Sequence, residues 1–310
     1  MADITASMVK ELRDASGAGM MDCKTALNEN NGDMEASIDW LRTKGLAKAA
    51  KKAGRVAAEG LVVVATEGTK GVVVEVNSET DFVARNATFQ DIVQKIAHVG
   101  LVTDGGHAGL LAAEFPGAGK SVEDHMQEMV GTIGENMSVR RSAELSVSDG
   151  VVAKYVHGQT VEGMGKIGVL VALESSGDKE KLLELARQIA MHVAATSPLS
   201  TSTDDLDAAD VERERNLLIA EARESGKPEA IIEKMVEGRI RKFYEEVVLD
   251  SQVFVVDGES RVGEVVQRLA DSLGTSVKIA GFIRMELGEG VEKGPEEDFA
   301  AEVAAVAGKA

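Results

Sequence analysis

Five consecutive residues, Asn77-Ser78-Glu79-Thr80-Asp81, carry an amide, two hydroxyls and two carboxylates, and Phe82 follows at once. In a 310-residue chain that is only 3% aromatic, a Phe beside an Asp at a turn invites a chemical question. Glu79 and Asp81 could act as general acid and base, but no motif nearby supplies a substrate pocket. Alternatively, Asp81 caps the turn and Phe82 fills a core edge. In a third reading both project from the strand end, a carboxylate and an aromatic wedge presented to a partner. Other reactive side chains are sparse. His157 ends a strand-like run and His192 sits in a helical one, each either structural or functional. Cys23 beside Asp22 reads as a small packing residue, because a neighbouring carboxylate opposes the thiolate. Met20 and Met21 form either core or a soft, adaptable contact patch.

Several chemistries have no carrier. The chain has no GxxxxGK[ST] loop, no GxSxG elbow and no HExxH helix. One Cys and five scattered His do not supply metal-ligand spacing, so neither metal nor cofactor is expected. A net charge of −18 argues against a nucleic-acid partner, which needs phosphate-neutralising Lys and Arg. The local exception is 42–55, with six basic residues and no acid, either a solvated helical face or a surface for an acidic partner. No apolar run approaches the ~20 residues of a membrane span. The N-terminus lacks a signal-peptide pattern, and a single Cys forms no intrachain disulfide, which together point to the cytoplasm.

The elements that must position these residues follow from periodicity. Residues 1–55 read as a three-helix module. Ile4, Met8 and Leu12 share one face, Gly17-Ala18-Gly19 is a break, and Asp22 caps a second helix. Asp33 caps a third, with Met34, Ile38 and Leu41 in register. Strands are expected at 61–66, 71–77, 137–147, 151–157, 167–175, 252–256 and 276–288. Helices are expected from Thr88, from Ser121 (Val122, Met126, Met129, Ile133), across 178–196 (Leu182, Leu185, Ile189, Val193) and across 260–273. The Gly- and Ala-rich 100–120 reads as a loop. Two charged helical segments meeting at Ser225-Gly226-Lys227-Pro228 form an antiparallel hairpin over 204–250, its seam drawn from Leu217, Leu218, Ile231, Met235, Ile240, Phe243 and Val247. A last amphipathic helix spans 295–306. The fold class is α+β: a core of two related halves (56–140, then 141–200 with 251–290), the inserted hairpin, and a C-terminal module at 291–310.

In this order the segments resemble the elongation factor Ts family. The resemblance rests on VKELRDASGAGMMDCKTAL (9–27), VNSETDFVAR (76–85), IGEN (133–136), IAMHVAA (189–195), SGKP (225–228), KMVEGR (234–239) and GFIR (281–284). No single motif decides it; the ordered set, spanning nearly the whole chain, is specific. The resemblance implies a guanine nucleotide exchange factor, not an enzyme, whose partner is elongation factor Tu. It implies that Thr80, Asp81, Phe82 and Val83 reach toward the partner's Mg²⁺ region, with Asp81 on a displaced helix and Phe82 as a wedge. Ile133 and Gly134 correspond to a second contact near that helix, and Met20 and Met21 to an N-terminal contact beside the partner's GTPase domain. His157, Met191 and His192 lie in the half that meets another partner domain. The 295–306 helix corresponds to a C-terminal module touching the GTPase domain, and 204–250 to a hairpin that can pair two copies. Glu79 reads as solvated. The turn 159–166 is longer than the family's usual link, and no role is carried to it or to 100–120.

Overall fold

Val, Leu and Ile dominate the strand segments, and where a strand is covered on both faces its sequence shows a continuous apolar run rather than alternation. β1 (Glu59–Glu67), β2 (Lys70–Ser78) and, later, β6 (Ile167–Glu174) are of this kind. In the computed structural model, which describes residues 4–16, 18–224, 226 and 228–292, the reason is visible. β1 and β2 form a hairpin in a sheet of order β3-β2-β1-β5, with β3 at Met137–Ser146 and the two-residue β5 at Met164–Gly165. β4 (Gly150–His157), β6 and β7 (Lys278–Glu286) form a second antiparallel sheet of order β4-β6-β7. The sheets share a core of Val62, Val64 and Val73 against Val152, Leu170, Ala172 and Met285. The outer face of the first sheet packs Leu61, Val63, Val72 and Val74 against α5 (Ala87–Val102) and α7 (Val122–Ile133). The outer face of the second packs Val169, Val171 and Leu173 against α8 (Lys179–Thr196) and α11 (Val262–Leu273). The result is a mixed helix-and-sheet α+β molecule.

The sheets repeat one topology: hairpin, helix, excursion, helix, and a third strand pairing with the hairpin's second strand. Each third strand carries a bulge, one extra residue opposite Glu75/Val76 in the first sheet and Ala172/Leu173 in the second. The equivalent glycines Gly60 (φ 125°) and Gly150 (φ 149°) lie over a neighbouring carbonyl, where a Cβ would come within 2.2 and 2.0 Å of Val76 O and Leu173 O. The excursions differ. In the first half it is the short helix α6 (Gly106–Ala112), where a loop was expected; Leu110 and Phe115 tie the segment into the core. In the second it is the hairpin of α9 (Ala208–Glu224) and α10 (Glu229–Val247).

The hairpin's buried seam is Leu218, Ala222, Ile232, Val236 and Ile240. Leu218 and Ile240 are there as expected; Leu217 and Ile231, also expected, are 56% and 49% exposed, because their neighbours Leu218 and Ile232 take the buried positions. The strand expected at 252–256 is a tight turn instead, bridged only at Val253–Arg261; Phe254 is buried under it. β3 crosses residue 140 and pairs with β2 along its whole length, so that boundary falls within a strand.

At the N-terminus α1 (Ala6–Ser16), α2 (Met20–Glu29) and α3 (Met34–Lys52) enclose Leu12, Cys23, Ala26 and Leu27. Asp33 caps α3 through Ala36 N–H at 2.9 Å. Asp22, expected to cap α2, lies inside its first turn, and Gly19 takes the cap position. α3 runs through the basic segment and crosses α7 closely at Gly45 and Gly131, where a Cβ on Gly131 would lie 2.8 Å from the Gly45 Cα. The expected 295–306 helix lies outside the described residues.

Candidate functional site

The antiparallel pairing of β2 with β3 sets Ser78 opposite Met137, so the turn leaving β2 and the turn entering β3 lie side by side. The first turn leads through Glu79 and Thr80 into the one-turn helix α4 (Asp81–Ala84). The second is the end of α7, where Gly134 (φ 94°) takes the left-handed cap and is followed by Glu135 and Asn136. Each turn bonds the other through a carboxylate. Glu135 accepts from Thr80 N–H at 2.9 Å and from the Thr80 hydroxyl at 2.6 Å. Glu79 accepts from Asn136 N–H at 2.5 Å and pairs with Arg55 at 3.3 Å. Asn136 Nδ2 donates to Arg55 O at 2.8 Å, and the Lys52 ammonium donates to Gly134 O. Glu79 is therefore a bonded brace with a mostly covered side chain, which corrects its reading as solvated.

The four residues from Thr80 to Val83 separate by role. Thr80 is held by Glu135. Asp81 pairs with Arg85 one helical turn on, at 2.8 Å. Phe82 is 76% exposed, and Val83 is buried in the core. Val83 thus anchors the turn and presents nothing, contrary to its expected place at the contact surface. Phe82 sits between these two fixed points and stands out into solvent. A cleft of about 510 Å³ beside it is lined by Thr80, Asp81, Arg85, Thr160, Lys166 and Leu287. The 159–166 turn, given no role from sequence, therefore forms the far wall of this cleft. It is fixed there by β5 pairing with β1 and by Lys166 N–H donating to His157 O at 3.0 Å.

Ile133 and Gly134 fall beside the Phe82 turn, half-buried. Met20 and Met21 are exposed on the first turn of α2, Met21 at 73%. A second cleft, about 780 Å³, lies where α2 and α3 meet α7; Arg13, Arg42, Lys120, Glu128 and Ile133 are among the residues that line it. The remaining expected residues belong to the other half. His157 is exposed at the end of β4, with Tyr155 Oη 3.4 Å from its Nδ1. Met191 is partly exposed on α8. His192 is fully buried and so not presented to a partner, which corrects its expected place as a contact. Its Nδ1 accepts from Val255 N–H at 3.2 Å, which leaves Nε2 to donate to Gln252 Oε1 at 2.8 Å. Burial holds it below the usual imidazole range, outweighing the Gln252 bond, so the ring is neutral in the fold.

Among the described residues no three His, Cys, Asp or Glu side chains gather closely enough to hold a metal ion, and no helix is long and apolar enough to cross a membrane. Sequence reasoning missed the braces Glu79, Arg55, Lys52, Glu135 and Asn136. Their visible signals are the acidic and amide residues in both turns and the acid-free basic run 42–55, which carries Lys52 and Arg55.

Fold and site together define an α+β protein that presents an exposed aromatic on a braced turn. The family model for Elongation factor TS matches residues 79–289. Curated relatives named Elongation factor Ts are similar from end to end. That of Parvibaculum lavamentivorans is 66% identical, covering 99% of both chains. Those of Agrobacterium fabrum and Rhizobium etli are 61% and 60% identical, each covering at least 98% of both chains. The chain belongs to the elongation factor Ts family, a family of translation elongation factors.

Proposed function

We propose that this chain releases GDP from elongation factor Tu and holds the nucleotide-free form until GTP binds. One observation carries the reading: Phe82 is exposed and yet rigidly based, between Glu135-bound Thr80 and core-bound Val83. A GTPase of the P-loop class holds its nucleotide through backbone amides and a Mg²⁺ ion bridging phosphate oxygens. A protein that binds the empty form more tightly than the GDP form must, by linkage, weaken GDP by the same factor. Each ~1.4 kcal/mol of that preference is tenfold in GDP affinity. Phe82 enters between partner side chains and Asp81 meets the displaced partner helix, which moves the groups holding the metal. Val83 keeps the wedge from retreating. Ile133 and Gly134 extend the contact, Met20 and Met21 add a soft apolar one, and His157 and Met191 serve a second partner domain. No bond is made or broken by this chain, so it acts as an exchange factor and not as an enzyme. Its setting is the cytoplasm, with neither nucleic acid nor membrane as partner.

The test is release of a fluorescent GDP analogue from elongation factor Tu. Micromolar amounts of the chain should accelerate it, and no acceleration would exclude the reading. Phe82→Ala should lower the accelerated rate by roughly thirtyfold, the scale of a buried aromatic hot spot of about 2 kcal/mol.

A second reading concerns assembly. Leu217 and Ile231 leave apolar surface on the hairpin, and two copies pairing through 204–250 would cover it. Light scattering of the chain with and without the hairpin separates monomer from dimer.

A further inference from the structure

We propose that Glu135 is a positioning residue for Phe82, the fixed point from which the wedge projects. The inference rests on the exchange reading and deepens it. α4 has only four residues, too short to hold its own shape, since a single helical turn fixes many dihedrals for one hydrogen bond. An N-cap Thr ordinarily steadies such a start by accepting from the helix's own N–H groups. Thr80 accepts no such bond, and its hydroxyl is turned to donate to Glu135 Oε1. Its backbone N–H goes to the other oxygen of the same carboxylate. The Ser78 hydroxyl at the end of β2 donates to Thr80 O at 3.0 Å, while the N–H and hydroxyl of Thr80 are held from outside, by a residue 55 positions away in sequence. Glu135 is itself aimed by the left-handed Gly134, whose carbonyl the Lys52 ammonium holds. Beyond Phe82 the chain is fixed again, by buried Val83 and by Gln90 Nε2 donating to Ala84 O at 2.9 Å. Phe82 is the exposed residue between two clamps, and Glu135 supplies the first of them.

The test compares GDP release from elongation factor Tu by the full-length wild type, Glu135→Ala, Glu135→Gln, Phe82→Ala and the Phe82→Ala/Glu135→Ala double variant. Glu135→Ala removes both acceptors and should lower the maximal release rate about tenfold. The factor concentration giving half that rate should move much less. Glu135→Gln should restore most of the loss, because its carbonyl still accepts from Thr80 N–H and its amide can donate to the Thr80 hydroxyl. In the Phe82→Ala background, Glu135→Ala should add nothing. Amide hydrogen exchange at residues 79–84 should rise in Glu135→Ala without a large fall in melting temperature. If Glu135→Ala melts far below the wild type, Thr80→Val, which removes only the hydroxyl bond, carries the same comparison. A full rate in Glu135→Ala, or additive losses in the double variant, would overturn the inference. If Phe82→Ala alone keeps the full rate, it is the exchange reading of the turn that fails, and the hydrogen-exchange result still decides whether Glu135 holds α4.

Discussion

Glu75 shows how much one residue can be asked to hold. It lies on the inter-sheet side of β2 with its side chain fully buried. The bulge in β3 inserts Arg140 between Val139 and Arg141, so two consecutive arginines reach the same carboxylate, at 3.0 and 2.5 Å. Gly288 N–H adds a third donor at 2.8 Å. Burial pushes the Glu75 carboxyl up, but the Gly288 bond and the Arg141 guanidinium outweigh it and hold it below the usual range. Glu75→Gln should cost about 3 kcal/mol, the low end for breaking a buried pair, since both arginines keep some solvent; denaturant unfolding measures it. A depressed carboxyl contributes stability above its unfolded value, ~4.3, that is lost as pH falls below it. His192 has the same sign, since its folded value is also depressed. Its contribution is present above ~6.5 and is lost as pH falls through the folded value. Melting temperature should thus begin to drop below about pH 6.5 and drop again below about 4.3, and His192→Gln should remove part of the first step, which His125, also held down by burial, shares. Phe82→Ala, by contrast, should leave the melting temperature within a degree or two, because an exposed ring contributes little to folding.

The hairpin is the element whose contribution is easiest to isolate. Its two ends meet where Ser200 bridges Val248, with Leu199 N–H donating to Val247 O at 2.8 Å and Leu249 N–H to Ser200 O at 2.9 Å. Replacing 204–246 by a short Gly-Ser turn should leave the rest folded with a near-native far-UV spectrum per remaining residue. Within the hairpin, Ile232→Ala should cost roughly 2 to 5 kcal/mol of hairpin stability, as large-to-small changes in packed seams do. Ile231→Ala should stay within about 0.5 kcal/mol. Site-resolved hydrogen exchange distinguishes the two neighbours. Their contrast shows why the seam was legible in kind but only partly in register, right at Leu218 and Ile240 and wrong at Leu217 and Ile231. Both faces of α9 and α10 carry Leu or Ile, and only the crossing of the two helices decides which set is covered. The strand expected at 252–256 is a turn for a related reason. QVFVV has strand composition, but its one buried aromatic, Phe254, packs with α8 and α11, and its backbone bonds close a local turn, Phe254 N–H donating to Ser260 O at 2.8 Å and Val262 N–H to Gln252 O at 3.0 Å.

At the scale of the whole molecule, the two repeated halves are joined by the apolar layer between the sheets. Leu170 is fully buried in that layer. Leu170→Ala should therefore destabilise both sheets together by roughly 2 to 5 kcal/mol. Amide exchange in β1 and in β6 should speed up in parallel; a change confined to β6 would show that the halves open independently. The halves also meet at the Phe82 cleft, where β5 crosses from the second half to pair with β1 and carries Thr160 and Lys166 to the cleft wall.

Read alone, the sequence determined the class of fold, most of the helices and strands, and the hairpin, because apolar period and capping residues are local signals. It also determined the turn at 77–82 as the place to look, since carboxylates, hydroxyls and a rare aromatic stand there together. Only the tertiary structure decided what each of those residues does. Val83 turned inward and Phe82 outward because α4 is pinned between the core and Glu135, and Glu79 became a brace because β2 and β3 pair with their turns side by side. His192 turned out to be buried because Gln252 and Val255, 60 and 63 residues on, close over it. Such contacts join residues far apart in the chain, and their geometry comes from packing, which local spacing does not encode.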